Sequence, residues 1–256
     1  LLTIQKRLID FLLPPAERVA VSDVRIGLGY TAIKIESGHG GVAWTPDFSA
    51  TSCTYCESAG TLAGRPAKEL LAMLVDEASV LARALGLATA NALLASLPNP
   101  PTLKEEVISS LHITHNDRVA MVGYFGPVIA QLRKTGCRLD ILELNDKHSD
   151  TLPPEKAGDA LGACTVAVIT GTSLINGTFD ELIAGLVEPR AAVLLGPSSP
   201  LCGDIFQDTK ITHVAGARVR DTDAVLRVVS EGGGTMLMKR YLDFETVKSG
   251  TCHTRQ

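Results

Sequence analysis

The sequence predicts an α/β protein: a Rossmann-like parallel sheet over residues 99–256, preceded by a small α+β domain over residues 1–98. Three observations carry this reading. From about residue 117, short apolar runs alternate with helical patterns, and helices that serve as crossovers force the strands to run parallel. Upstream, strand-like runs come first and helical ones later, which is the α+β order. Between the two rhythms, Pro98-Asn99-Pro100-Pro101 stops any helix and marks a boundary.

Residues 3–13 read as a helix ending at Pro14-Pro15. Strand-like runs follow at Val19–Ile26, Tyr30–Ile35 and Val42–Trp44, separated by turns at Gly27-Leu28-Gly29 and Gly38-His39-Gly40-Gly41. Leu70, Leu74, Ala78, Leu81 and Leu85 then repeat at helical spacing after a start at Pro66. Gly86 is expected to interrupt that pattern, with a second helix over Leu87–Leu97.

In the second part, Arg118–Val122 is the first strand, followed by Gly123-Tyr124-Phe125-Gly126-Pro127 and a helix closed by Gly136. Arg138–Leu144 is the second strand. A helix over Pro154–Ala163 leads to the third strand, Thr165–Thr170. After Gly171–Gly177, Thr178 and Glu181 have the spacing of a capping box. Ala191–Leu195 is the fourth strand and Ile211–Ala215 the fifth. A helix over Asp221–Ser230 and a short helix after Gly232–Gly234 complete the chain.

Composition narrows the function classes. Hydrophobic residues make up 45% and charged ones 20%, which fits a globular core built from aliphatic side chains. The net charge of -4 and the lack of a basic stripe argue against nucleic acid as a partner. No apolar stretch approaches a membrane span, so no membrane partner is expected. Leu1–Arg7 lacks the basic-then-apolar order of an export signal, and a cytoplasmic protein is expected. The six cysteines are then expected to be reduced thiols. An acidic protein of this kind, with an apolar helical cap, is expected to form a homodimer.

Ligands of open parallel sheets sit beyond the carboxyl ends of the strands. The loops Gly123–Pro127, Gly171–Thr178 and Gly196–Pro200, rich in Gly, Pro and hydroxyls, fall at those ends, with Gly216 as a fourth. Gly123-Tyr124-Phe125-Gly126-Pro127 lacks the full G-x-G-x-x-G pattern, so a pyrophosphate cradle is not expected. Glu143 ends the second strand, where an acid either accepts a hydrogen bond from a ribose hydroxyl or is simply solvated. The first alternative suits an adenosyl ligand such as S-adenosylmethionine. Cys53-x-x-Cys56 supplies half of a tetrahedral site for a soft or divalent metal. Structural thiols are the favoured reading, and both cysteines are kept as candidate ligands. His112 and His115 read as solvated, and His39 sits in a turn. No G-x-S-x-G, H-E-x-x-H or Walker A motif is present.

Several motifs in order resemble one known family. Met121–Val128, Glu143–Asp146, Thr170–Thr178 and Gly196–Pro200 are similar to the domain called "putative heavy-metal chelation". Leu62–Pro66 and Leu87–Ala92 are similar to that family's N-terminal partner, which has an enolase N-terminal-like fold. The resemblance implies two domains with a cleft between them that binds metal or a metal-chelating compound. Carried onto matching positions, it implies ligand contacts from Gly123, Phe125, Pro127, Glu143, Thr172, Asn176, Thr178 and Ser198. Glycines and hydroxyls are poor ligands for soft metals, so an organic ligand suits these loops better than a bare ion.

Overall fold

A computed structural model describes residues 2–47, 55–143 and 148–251. The first part contains helix α1 (Ile4–Ala16), strands β1 (Val21–Ile26), β2 (Tyr30–Ile35) and β3 (Gly40–Trp44), and helices α2 (Ala67–Ala72) and α3 (Val80–Ser96). The second contains α4 (Val107–Ser110), β4 (Arg118–Val122), α5 (Gly126–Lys134), β5 (Arg138–Leu142), α6 (Ala157–Ala163) and β6 (Val166–Thr170). It continues with α7 (Ser173–Asn176), α8 (Phe179–Gly185), β7 (Ala191–Leu195), β8 (His213–Val219), α9 (Thr222–Ser230), α10 (Thr235–Met238) and β9 (Leu242–Lys248). Among the described residues no helix is long and apolar enough to cross a membrane.

The fold is α/β. Strands β1-β2-β3 form an antiparallel meander, and six strands form a mostly parallel sheet in the order β5-β4-β6-β7-β8-β9. Period-2 alternation builds the large sheet. Val119, Met121, Val166, Val168, Ala191 and Val193 pack on one face against Ile129 and Leu132 of α5. The alternate residues Ala120, Ala167, Ile169, Ala192 and Leu194 pack on the other, in one cluster with Leu8 and Leu12 of α1 and Leu87 and Leu93 of α3. The apolar core therefore runs from the first part of the chain into the second without a break.

Helix α3 is the member shared by both parts. Residues 84–94 are buried on every side. The expected interruption at Gly86 does not occur, and the helix runs through it. A Cβ at Gly86 would lie 2.3 Å from the backbone nitrogen of Leu74, so this glycine permits a close crossing of two backbones. The break falls instead at residues 76–79, where Asp76 accepts hydrogen bonds from the N–H groups of Ala78 and Ser79. Ser79 then caps α3 through its bond from Ala82 N–H.

Four other expectations are corrected. Helix α1 continues through Pro14 and Pro15 to Ala16, because burial of Leu8, Leu12 and Ala16 holds that face against the core. The Thr178–Glu181 capping box does not form. Thr178 already has helical φ and ψ, directly after left-handed Gly177, and its side chain makes no capping bond. The fifth strand of the sheet spans His213–Val219, longer than expected, since its far end pairs with β9. Strand β9 itself runs antiparallel at the sheet edge, so the sheet is mixed.

Candidate functional site

The chain leaves β4 through α5 to reach β5 on one side, then returns through α6 to β6 on the other side of β4. The connections diverge at the carboxyl ends of β4 and β6, and that divergence leaves a crevice. A cavity of about 940 Å³ opens there. Its floor includes Val122, Leu142 and Leu161.

Gly123 makes the turn after β4. Its φ of +96° is accessible to glycine, and a Cβ there would stand 3.0 Å from Thr170 Cβ. Its N–H donates to Leu142 O at 2.8 Å, which ties the turn to β5. Phe125 follows at the start of α5, with its ring edge over Gly123 and Gly196. Tyr124 stacks on His148, with ring centroids 3.6 Å apart and planes within 10°. Trp44, at the end of β3, and Pro46 and Asp47 after it also line the cavity, and Trp44 adds a fourth ring to those of Tyr124, Phe125 and His148.

Another stretch of the lining is hydroxylated. Thr170 and Thr172 share a hydrogen bond between hydroxyls at 3.0 Å, and Ser173 Oγ donates to Thr170 O at 2.7 Å. Asn176 and Thr178 continue this stretch. The short helix α7, which carries Ser173 and Asn176 of this stretch, is held from the first part of the chain. Gln5 Nε2 donates to Leu174 O at 3.1 Å, and Arg83 Nε donates to Ile175 O. Asp47, Glu143 and Glu181 are the acids of the lining, and its described residues include no Lys or Arg. Those acids favour a neutral or cationic molecule.

Six of the eight ligand residues expected from sequence line this cavity: Gly123, Phe125, Glu143, Thr172, Asn176 and Thr178. Pro127 lies outside the lining, exposed in the first turn of α5. Ser198 is also outside it, only 2% exposed, with its Oγ accepting the Trp44 N–H at 2.9 Å. Sequence reasoning missed Trp44, Tyr124, His148, Thr170 and Ser173. Tyr124 and Ser173 sat inside the glycine and hydroxyl loops already singled out. Trp44, the chain's only tryptophan, gave no signal because it arrives from the other half of the chain.

Cys53 lies outside the described residues. Cys56 is a half-buried thiol packed against the core of the first part and is not part of the lining. Among the described residues, no three or more His, Cys, Asp or Glu gather as a metal site. His39 is exposed and bonded to Ser37 Oγ at 3.0 Å, and His112 and His115 are exposed away from the cavity.

Two family models, both described as "Putative heavy-metal chelation", match residues 9–94 and 106–248. An uncharacterized protein of Methanocaldococcus jannaschii is 25% identical over 173 residues, 65% of this chain and 66% of that protein. The match thus spans just under two thirds of that relative's length. A protein of unknown function from Pyrococcus horikoshii has a crystal structure that superposes with a TM-score of 0.83 at 20% identity, covering 96% of this chain and all of its own. A second, from Desulfitobacterium hafniense DCB-2, superposes with a TM-score of 0.80 at 20% identity, over 96% of this chain and 97% of that one. At that identity both similarities speak to the fold alone.

Proposed function

Since the chain belongs to the family described as "Putative heavy-metal chelation", we propose that it is a ligand-binding protein of metal homeostasis. Its ligand is a metal-chelating organic compound, free or carrying its metal, held in the cleft between the two domains. The observation that carries this reading is the 940 Å³ cavity, whose lining combines aromatic rings with hydroxyls. Flat rings stack on aromatic side chains, and hydroxyls and amides pair with polar substituents. The acids Asp47, Glu143 and Glu181 among the described lining residues favour a cationic complex. In this reading the organic ligand, and not a set of protein thiolates, supplies the metal's inner donors.

A second reading has one observation in its favour. Glu143 follows β5 and lines the cavity, where an acid commonly accepts hydrogen bonds from ribose hydroxyls. The acids Asp47, Glu143 and Glu181 in the lining favour a nucleoside that bears a positive charge over one that bears a phosphate. S-adenosylmethionine, with a cationic sulfonium, meets both conditions, and the protein would then be an enzyme using that cofactor.

Trp44 provides the test, because the sole tryptophan lines the cavity and reports its occupancy. Titration with zinc alone, with the zinc complex of 1,10-phenanthroline as a flat model chelate, and with S-adenosylmethionine should change its emission only for the organic probes. A saturable response to S-adenosylmethionine that weakens about tenfold in Glu143→Ala, as loss of a charge-assisted bond implies, would make the enzyme reading the leading one. If neither organic probe alters Trp44, both readings lose their support.

A further inference from the structure

Strand β3 is an edge strand of the small meander, and its outer edge is closed by side chains. Residues 42 and 44 pair with Ala32 and Tyr30 of β2. Both are non-hydrogen-bonded pairs of the ladder, so their main-chain N–H and C=O groups point away from β2. On that side, Asn91 Nδ2 donates to Val42 O at 2.9 Å, and Trp44 N–H donates to Ser198 Oγ at 2.9 Å. Asn91 Nδ2 also reaches Ser198 O at 3.5 Å. Both side chains are buried, Asn91 at 8% and Ser198 at 2% exposure. Three elements meet in this node: α3, β3 and the loop after β7.

The chain leaves the node directly into the cavity wall. Thr45 is fixed by its N–H to Gly29 O at 3.1 Å and by its hydroxyl to Thr31 at 2.9 Å. Pro46 and Asp47 come next in the wall. The loop on the other side is equally constrained. Ser199 N–H donates to Gly196 O at 2.9 Å, and a Cβ on Gly171 would stand 2.7 Å from Ser199 N. Ser198 therefore presents a fixed acceptor, anchored on the large sheet, to the end of a strand from the other part of the chain.

We propose that Ser198 and Asn91 are positioning residues of the cavity. They dock the edge of β3 and so set the wall of Trp44, Pro46 and Asp47 against the strand ends that carry Gly123 and Thr170, without touching the ligand. This rests on the reading that the cavity holds the ligand. The Ser198 hydroxyl thus has a role that needs no catalytic base.

The test uses Trp44 emission and its quenching by acrylamide in the wild-type protein, Ser198→Ala, Ser198→Cys and Asn91→Ala. The expected result is red-shifted emission and stronger quenching in all three, while amide exchange within β6 and β7 stays at the wild-type rate. The cysteine variant keeps the side-chain volume but is a weak acceptor, and it carries the test if Ser198→Ala does not fold. A probe that binds the wild-type protein, zinc–phenanthroline or S-adenosylmethionine, should bind each variant about tenfold more weakly. Variants that melt earlier but keep wild-type emission and quenching would overturn the proposal, since they would reveal a contribution to stability alone. A shifted Trp44 spectrum in a protein that binds neither organic probe would retain the positioning role and remove only the ligand reading.

Discussion

Replacing Gly86 by alanine is expected to lower the thermal unfolding midpoint by about 10 °C, for overpacking of about 3 kcal/mol in a chain of this size. In an exposed helix the same change would stabilise, since alanine is favoured over glycine by about 1 kcal/mol. Here the new methyl would lie 2.3 Å from Leu74 N and 2.6 Å from Leu74 Cα. Both are backbone atoms, so no rotamer change can clear them. The 3-10 turn at Met73–Val75 or α3 itself must move. Because α3 packs against the meander, α1, α2 and α7, that displacement reaches the hydroxylated wall of the cavity. Differential scanning calorimetry of Gly86→Ala measures the effect. An unchanged midpoint would show that the two helical segments are not crossing as closely as described.

The second large effect is expected at the opposite end of the sheet from the cavity. Asp117, just before β4, accepts hydrogen bonds from Arg190 Nε at 2.9 Å and Nη2 at 3.0 Å, from Thr165 Oγ1 at 2.8 Å and from Thr114 N–H at 2.9 Å. Its side chain is 10% exposed, against 44% for Arg190. The Arg190 guanidinium holds this carboxyl well below the usual carboxylate range, with the Thr114 N–H and the Thr165 hydroxyl adding to the effect and burial opposing it. Arg190→Met should cost about 2 kcal/mol, less than for a fully buried pair because Arg190 is partly solvated. The folded carboxyl titrates below the unfolded one, whose value is about 3.9. The stabilisation is therefore present in full above about pH 4 and shrinks as the pH falls further. Chemical denaturation of the wild-type protein and Asp117→Asn from pH 7 down to pH 3 should show the variant less stable at neutral pH. The gap should narrow on the acid side, and a gap that widened there would contradict this assignment.

The fold was legible where local chemistry and tertiary structure agree. Strands β4, β6 and β7 are apolar runs buried on both faces, and glycine or hydroxyl loops mark their ends. Those loops brought Gly123, Phe125, Thr172, Asn176 and Thr178 to the cavity together. Elsewhere one signal had two physical meanings. Gly86 read as a helix break because glycine usually weakens helices, but it serves a backbone crossing that no local pattern reveals. Strand β9 was missed because Asp243 and Glu245 disguise it. These acids pair across the ladder with Arg220 at 2.9 Å and Arg218 at 3.4 Å, as suits a sheet edge. Ser198 sits in a recognisable loop, yet its hydroxyl turns toward Trp44 N–H. Only the docking of β3 decides that direction, and the same docking delivers Trp44 from 79 residues upstream of Gly123.

Native mass spectrometry, with elemental analysis, of the protein dialysed against zinc alone, zinc–phenanthroline and S-adenosylmethionine shows whether the cavity holds an organic ligand. One organic molecule per chain is expected, with metal retained only when its chelator is retained. Stoichiometric zinc held without any organic mass, and lost in the Cys53→Ala/Cys56→Ala double variant, would contradict it and move the site from the cavity to the thiols.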